Sequence, residues 1–389
     1  MSVLTVVAAV LVAAGCAVPI AGSAAPDPGA PAVTGAAELA PGVVPPPPAG
    51  AGRVLEAHRL AGATIMARTV FPERDRLCSD YGPFVTAVDL EVSYAGRDAF
   101  ATILDRYGFV TAWGSCALDA SGLVTLTASI ELSDPASAAR AIAEVEGTGE
   151  RFVRQGSVLG GAPVLVRTDG DRETVAVWAA VGRMVAFALH EAPIGQAVPQ
   201  ATRLVTEQVA LLGTFVPTPQ IEVASLPADP HGLAALAVDL PGKPRSSFSG
   251  PYDLAAILHL SPDPVGDRDL LSANGLVGAY LKSAEDASRW YEVEVSAFPG
   301  PAQAAAVYGA NVARLPTILA GTPLAVPAVP EASCVGGDIG VPGRTVLLQR
   351  CYLLGGRYVA RLDVAGLTTP DDITAISAML AGQRDLISG

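Results

Sequence analysis

The strongest constraint on how this chain folds is an internal duplication. Four stretches of its first half return in its second half, in the same order and 166 to 174 residues later. This spacing drifts by only a few residues, so the sequence predicts two tandem copies of one folding unit. The matching pairs are AGRDAF with GDRDLL (95–100, 266–271), GFVTAW with GLVGAY (108–113, 275–280), VTLTASIELSDPASAARA with YEVEVSAFPGPAQAAAV (124–141, 291–307), and VAVWAAVGRMVAFA with QRCYLLGGRYVARL (175–188, 349–362).

Each copy shows the pattern of a mixed fold. Apolar residues alternate along 124–132, which predicts a half-buried strand, and Asp134 with Pro135 then suits the start of a helix. A hairpin follows, and each copy closes with a predicted helix, at 197–212 and at 370–386. Strands and hairpins that alternate with helices indicate an α+β fold. We therefore predict two tandem copies of an antiparallel sheet with helices packed on one face.

The boundaries of the copies follow from composition. The segment VPTPQIEVASLPADPHG (216–232) is rich in proline, which hinders regular strand pairing, so we expect it to connect two domains as exposed chain. The alternative is a single unit in which the two halves share an apolar interface. The predicted divisions are a lipoprotein signal peptide at 1–15, a lipidated cysteine with a disordered tether at 16–52, a first α+β domain at 53–218 and a second at 228–389.

The N-terminus predicts where the protein resides. An apolar run at 3–14 has the length of a secretory signal, is too short to span a bilayer, and is followed closely by Cys16. This arrangement resembles a lipobox, in which Cys16 accepts acyl chains such as palmitate. A buried apolar helix with an incidental cysteine is the alternative. We expect a lipid-anchored protein on the extracytoplasmic face of the cell membrane. Because a basic n-region is missing, we also expect the natural start codon to lie upstream.

The segment after Cys16 supports this interpretation. Residues 21–52 are mostly Ala, Gly and Pro, a composition that cannot bury a core and stays extended and solvated. We interpret it as a spacer between the membrane and the folded part. A ligand for a proline-recognition module, built on the four prolines at 45–48, is the other interpretation.

The four remaining cysteines predict structural disulfides, as an even number outside the cytoplasm usually does. Of the three possible pairings we predict the two local ones, Cys78–Cys116 and Cys334–Cys351, because each then stays inside one copy. In the first copy Val177 takes the place of Cys351, so the two copies need not share one role. A metal site would need CxxC pairs or neighbouring histidines. The sequence has neither, and we expect no metal and no cofactor.

Charge argues against two classes of partner. The 389 residues carry a formal net charge of −13, and the basic residues form no cluster. A chain of this kind is not expected to bind nucleic acid, or to adhere to anionic lipid by electrostatics alone.

No catalytic motif is present in the sequence. The four histidines are scattered without HxH or HExxH spacing, and GxSxG, P-loop and GxGxxG elements are all missing. We therefore expect that the protein is not an enzyme.

Two sets of recurring residues are weak candidates for binding. Arg–Asp pairs recur in both copies and would act as ligand clamps, or alternatively as solvated pairs at helix starts. Aromatic residues recur at matching strand positions and would line an apolar cleft, or alternatively belong to the core. The pairs are Arg97 with Asp98 and Arg268 with Asp269, and the aromatic residues are Trp113, Tyr280, Trp178 and Tyr352.

These features together resemble a known family. The lipobox-like start, the Pro-rich tether, the segment LEAHRLAGA (55–63) and the paired halves are similar to uncharacterised two-domain lipoproteins of mycolic-acid-bearing actinobacteria. A weaker likeness is to the extracellular sensor domains of actinobacterial receptor kinases. The resemblance implies a location and a fold, and it implies no activity.

Two classes of function remain. The first is a non-catalytic module that binds an envelope lipid, glycan or protein partner, and the second is an envelope hydrolase with an unfamiliar acid–base pair. The missing catalytic spacing favours the first. A large closed apolar pocket would favour lipid carriage, whereas a polar cleft with two carboxylates of raised pKa would favour the enzyme.

The lipoprotein assignment predicts the effect of Cys16→Ala. Without the acceptor thiol, the protein should appear in the medium or remain as an unprocessed precursor, because its membrane attachment depends on acylation. Metabolic labelling with a fatty-acid probe, followed by fractionation, measures this. Equal labelling of the wild type and the variant would contradict the assignment.

Overall fold

The computed structural model describes residues 50–78, 82–94, 100–147, 152–159, 161–245, 248–338, 346–367, 369 and 372–388. The predicted signal peptide, Cys16 and nearly all of the tether lie outside these ranges. Within the ranges, each helix is too short or too polar to cross a lipid bilayer.

Helices and strands alternate along both copies. The first copy contains α1 (Ala51–Ala61), α2 (Ala67–Val70), β1 (Arg76–Leu77), β2 (Gly82–Phe84), α3 (Ala87–Tyr94), α4 (Phe100–Arg106), β3 (Thr111–Leu118), β4 (Val124–Glu131), α5 (Pro135–Gly147), β5 (Val153–Val158), β6 (Ala162–Asp169), β7 (Arg172–Val181), β8 (Met184–Pro193), α6 (Ala197–Leu212) and α7 (Gln220–Val223). The second copy contains β9 (Lys243–Pro244), β10 (Gly250–Tyr252), α8 (Leu254–His259), α9 (Pro264–Ala273), β11 (Gly278–Glu285), β12 (Trp290–Ala297), α10 (Pro301–Ile318), β13 (Thr322–Leu324), β14 (Ser333–Asp338), β15 (Leu347–Gly355), β16 (Tyr358–Leu367) and α11 (Thr374–Ile387).

The two copies have the same sheet topology in the described residues. The first sheet runs β1-β3-β4-β8-β7-β6-β5 with β2 beside β3, and the second runs β10-β11-β12-β16-β15-β14-β13 with β9 beside β11. Every pairing is antiparallel, so the predicted α+β class with two antiparallel sheets is confirmed. The turns at Gly182 and Gly356 join equivalent hairpins, β7–β8 and β15–β16, and both glycines have positive φ, which suits a tight hairpin.

The packing differs from the prediction in one respect, because helices cover both faces of each sheet rather than one. In the first copy α6 packs on one face of β7 and β8, and α5 packs on the opposite face. In the second copy α11 and α10 take the same two places over β15 and β16. The strand 124–131 is consequently buried along both faces, not half-buried, because Thr and Ser side chains on its second face form hydrogen bonds with the chain above.

A buried glutamine ties the closing helix of each copy to the beginning of that copy. On α6, the Gln208 carbonyl accepts from the Ile65 backbone N–H at 2.7 Å, and its amide donates to the Ala63 carbonyl. Gln383 on α11 does the same in the second copy. Its bonds are from the Val238 N–H at 2.9 Å and to the Leu236 carbonyl at 2.7 Å.

The start of the connecting segment is attached to the first copy. The Thr218 N–H donates to the buried Glu56 carboxylate at 2.8 Å, and Arg183 donates to the Thr218 carbonyl at 2.6 Å. Arg59 donates to the Val216 carbonyl at 3.0 Å. The prolines therefore do not leave this part of the segment free of partners.

The two copies meet at an aromatic junction. Trp113 of the first copy is fully buried, and its ring lies 5.4 Å from that of His259 and 6.3 Å from that of Tyr252, both in the second copy. His58 of the first copy donates to the Pro251 carbonyl and stacks at 4.1 Å on Tyr252. One apolar cluster contains residues of both copies. The division into separately folding domains stays a prediction, and this shared surface must be considered in testing it.

The two junction histidines are buried as neutral rings. Burial lowers the pKa of His58 to about 4 and that of His259 to about 4, although each ring has a backbone carbonyl partner. An unfolded histidine titrates near pH 6.5, so the unfolded chain binds more protons than the folded one between pH 6.5 and 4. Stability from these rings is therefore complete above pH 6.5 and is lost as the pH falls towards 4.

This linkage predicts a pH-dependent difference between the wild type and the double variant His58→Gln with His259→Gln. The wild type should lose up to about 3 kcal/mol per histidine between pH 7 and 4, relative to the variant. Urea unfolding of both proteins across this range measures the difference. The difference is the proper readout, because burial raises the pKa of both Glu131 and Glu292 to about 7, and these groups titrate in the opposite sense. A difference that does not vary with pH would contradict the prediction.

Candidate functional site

Two neighbouring rows of charged side chains cross the middle of the second sheet. Residues directly opposite on paired strands, and residues two apart on one strand, project from the same face. The rows run across β12, β16 and β15 and face α10. The first row is Glu292, Asp363 and Arg350, and the second is Glu294, Arg361 and Tyr352.

The equivalent rows of the first sheet are entirely apolar. They cross β4, β8 and β7 in the same register and face α5. Their members pack into the apolar core beneath that helix. The first row is Leu126, Leu189 and Ala176, and the second is Ala128, Phe187 and Trp178. Six matched positions have thus changed from apolar to charged or phenolic within one fold.

The charged rows form a connected ion-pair network. Arg350 binds both oxygens of Asp363, with two nitrogen–oxygen distances of 2.7 Å. Arg361 lies 2.9 Å from Glu294, 3.3 Å from Glu292 and 3.4 Å from Asp363. The Asp363 side chain is fully buried, and the Arg361 side chain is 13% exposed. Arg361 is therefore the centre of the network.

Burial and charge fix the ionisation of the network. Burial raises the pKa of Glu292 to about 7 despite the nearby Arg361 guanidinium. Burial would also raise the pKa of Asp363, but Arg350 and Arg361 outweigh it and hold that pKa below its usual value. Burial raises the pKa of the Tyr352 phenol. At neutral pH the cluster therefore holds a buried Asp363 carboxylate and a neutral phenol, beside a Glu292 carboxyl whose pKa is raised to about 7.

A cavity of about 60 Å³ lies between these rows and the helices above them. Such a volume has room for several water molecules. Glu294, Arg350, Tyr352 and Arg361 line its floor. Its helical wall adds Asp267 from α9 and Arg314 from α10, with Ile257, Leu271 and Val307 as apolar neighbours.

The helical wall carries its own ion pair. Arg314 donates to Asp267, whose side chain is 12% exposed, and also donates to the Asn311 amide oxygen at 2.6 Å. The other oxygen of Asp267 accepts from the Ser261 hydroxyl. Arg314 Nε is buried without a hydrogen-bond partner among the described residues. This cavity is our candidate site. It is lined by positively and negatively charged side chains, which are hydrogen-bond donors and acceptors respectively.

The energetics of the network do not explain its presence. Removing charges from water is costly, and well-packed apolar residues often stabilise a fold equally well or better. The first copy demonstrates an apolar solution on the same sheet topology. The presence of the charged cluster therefore needs an explanation other than its contribution to stability.

The structure distributes the four predicted aromatic residues over different places. Tyr352 lines the cavity, whereas Trp178 is packed against Phe187, with ring centres 4.0 Å apart, in the first copy. Trp113 lies at the junction between the copies. Tyr280 is half-buried against the apolar core beneath α11. Only Tyr352 of the four is brought to the charged rows.

The predicted Arg–Asp clamp of the second copy does not line the cavity. Arg268 and Asp269 lie exposed on α9, and it is their neighbour Asp267 that reaches the cavity. Arg97 and Asp98 lie outside the described residues, as does Cys16.

Both predicted cysteine pairs lie at disulfide distance. The Cα atoms of Cys78 and Cys116 are 5.5 Å apart, and those of Cys334 and Cys351 are 4.1 Å apart. Cys334 and Cys351 are directly opposite on β14 and β15. Cys351 lies on β15 between Arg350 and Tyr352, both of which line the cavity, so the disulfide links this part of β15 to β14.

In the described part of the chain, no three or more His, Cys, Asp or Glu side chains are grouped as a metal site requires.

The sequence contains a signal for the charged rows that residue types alone do not reveal. The register becomes clear when Pro135 is aligned with Pro301. Glu292 then matches Leu126 and Glu294 matches Ala128, so acidic residues stand at apolar positions of the alternation. Comparing the two copies position by position would have identified Glu292 and Glu294. Arg314 and Asp267 have no comparable signal, because they come from helices whose approach depends on tertiary packing.

Comparison with known proteins gives a partial match. Residues 43–228, just under half of the chain, match the N-terminal model of a family described as a domain of unknown function, DUF7373. The match covers the first copy and most of the connecting segment. No curated protein matches the sequence.

Several solved structures show weak similarity. The extracellular domain of PknH from Mycobacterium tuberculosis is 12% identical, with 30% of this chain and 69% of that chain covered and a TM-score of 0.20. The immunity protein TplEi from Pseudomonas aeruginosa is 11% identical, with 71% and 93% covered and a TM-score of 0.23. The protein TP0453 is 7% identical, with 79% and 97% covered and a TM-score of 0.24. At these TM-scores no function is transferred.

The network predicts that Arg361→Met is strongly destabilising. The variant leaves three carboxyl groups around an apolar side chain, and breaking a buried pair of this kind costs about 3–5 kcal/mol. Urea unfolding measures the loss. Arg203→Met is the matched control, because Arg203 forms an exposed pair with Glu207 on α6 that is worth below about 1 kcal/mol.

A second variant separates charge from packing. Transferring the six first-copy residues onto the second copy gives Glu292→Leu, Glu294→Ala, Arg350→Ala, Tyr352→Trp, Arg361→Phe and Asp363→Leu. This variant should be more stable than Arg361→Met, because no charge remains unpaired. The opposite order would contradict our account of the network.

Proposed function

We propose that the protein is a lipid-anchored, extracytoplasmic binding protein without catalytic activity, and that its binding site is the charged cavity of the second copy. Cys16 supplies the anchor, and the tether positions the folded part away from the membrane. The bound solute is a small polar molecule from the cell envelope.

One observation carries the proposal. The same six positions of the same sheet are apolar in the first copy and charged or phenolic in the second. A folded core does not require this change, and the change coincides with the cavity. Concave sites with a few convergent polar groups are the usual places for small ligands.

The cavity constrains the chemistry of the ligand. A volume of about 60 Å³ cannot hold an acyl chain, so lipid carriage in this cavity is not supported. Each lining arginine already faces a carboxylate, as Arg361 faces Glu294 and Arg314 faces Asp267. A solute of low net charge, with both hydrogen-bond donors and acceptors, fits such a balanced lining better than a multiply charged anion.

A hydrolase remains the second candidate, and Glu292 is the observation that favours it. A carboxyl with a pKa of about 7 could exchange protons at neutral pH, as general acids and bases do. Glu292 is not among the side chains that line the cavity, however, and is reached through Arg361. Binding is therefore the better supported function.

Native mass spectrometry of protein purified from its own envelope tests the proposal. We expect a small polar solute that is present under native conditions and absent after denaturation. The variant with six first-copy residues is the matched control, and it should carry none. A bound acyl lipid, or the same solute in both proteins, would contradict the proposed site.

A further inference from the structure

We propose that the first copy positions a wall of the cavity in the second copy, and that Arg68 is the positioning residue. This inference rests on the proposed function, because only that function makes the cavity a binding site. The contacts of Arg68 described below do not depend on it. The two copies would then form one binding unit, with a supporting half and a binding half.

Arg68 reaches across the junction to the cavity wall. It lies on α2 of the first copy, and its guanidinium donates to the Pro262 carbonyl at 2.9 Å and to the Ser261 carbonyl. Ser261 and Pro262 connect α8 with α9, and both line the cavity. A single cation of the first copy therefore binds two successive backbone groups of the wall.

The same loop is linked to the ion pair in the wall. The Ser261 hydroxyl donates to Asp267 and accepts from the Asp263 N–H at 2.9 Å. Asp267 in turn accepts from Arg314. Contacts therefore run without interruption from Arg68 through Ser261 and Asp267 to Arg314.

Burial of Ser261 and Asp267 fixes the conformation of the loop that they belong to. Ser261 and Asp267 are both buried, so neither can exchange its partner for bulk water without moving the loop. Hydrogen bonds to a charged donor are also stronger than neutral ones. Loss of Arg68 should free the Ser261–Pro262 carbonyls and loosen the start of α9, which carries Asp267.

A second contact between the copies supplies a matched control. His58 donates to the Pro251 carbonyl, ahead of α8, and neither His58 nor Pro251 lines the cavity. Loss of this bond weakens the junction but leaves the Ser261–Pro262 loop in place. A role of Arg68 in general adhesion of the copies would be shared by His58, whereas a positioning role would not.

Hydrogen–deuterium exchange on the full chain tests the inference without knowledge of the ligand. In Arg68→Met, amides of residues 261–273 should exchange about tenfold faster than in the wild type, as expected for the loss of a charge-assisted bond. Residues 291–297 should be unchanged. His58→Gln should not accelerate 261–273, and Arg68→Lys should restore part of the protection through its ammonium.

Three results would overturn the inference. They are unchanged exchange in 261–273, equal acceleration of these residues in His58→Gln, and no recovery in Arg68→Lys. If Arg68→Met does not fold, Arg68→Lys is compared directly with His58→Gln. Faster exchange of the Ser261–Pro262 loop in Arg68→Lys supports the inference, and equal exchange in the two variants contradicts it. If exchange responds as expected but the wild type carries no solute, the proposed function fails while the positioning role stands.

Discussion

The need to neutralise the Arg361 guanidinium organises the second half of this protein. A cation on a central strand, beneath a helix, is stable only with carboxylates close by, and Glu292, Glu294 and Asp363 surround it. These groups prevent the tight apolar packing seen beneath α5, and a cavity is found beneath α10 instead. The cavity and its charged floor accompany this one buried charge, whereas burial raises the pKa of Glu292 in spite of it.

The first copy has an apolar core at the place where the second copy has the charged rows. Leu126, Phe187 and Trp178 fill the space beneath α5 with aromatic and aliphatic side chains. The first copy instead places its polar groups on the opposite face, where Thr127 and Ser129 bind the backbone that follows α1. Two copies of one topology have therefore moved polarity to opposite faces of the sheet, one to hold its own chain and one to form a cavity.

Much of the fold could be predicted from the sequence because hydrophobic periodicity and turn chemistry are local. The alternation at 124–132 and the glycine turns at Gly182 and Gly356 predict strands and hairpins that the structure contains. Helices on both faces could not be predicted, because the threonine and serine pattern of β4 is typical of a solvent-facing surface. The backbone carbonyls that bind these hydroxyls are known only from the structure. The cavity was missed for a related reason. Its charged residues lie on five separate elements, and Arg68 binds backbone carbonyls, which have no signal in the sequence.

The paired glutamines have a consequence for how the chain folds. Gln208 and Gln383 each hold backbone that lies about 145 residues earlier in the chain. Contacts of this sequence separation close large loops, and they are formed late because chain entropy opposes them. The backbone that each glutamine binds is therefore synthesised long before the closing helix exists. Neither copy can form its glutamine contacts until its own closing helix has been synthesised, so pairing of successive hairpins alone does not complete a copy.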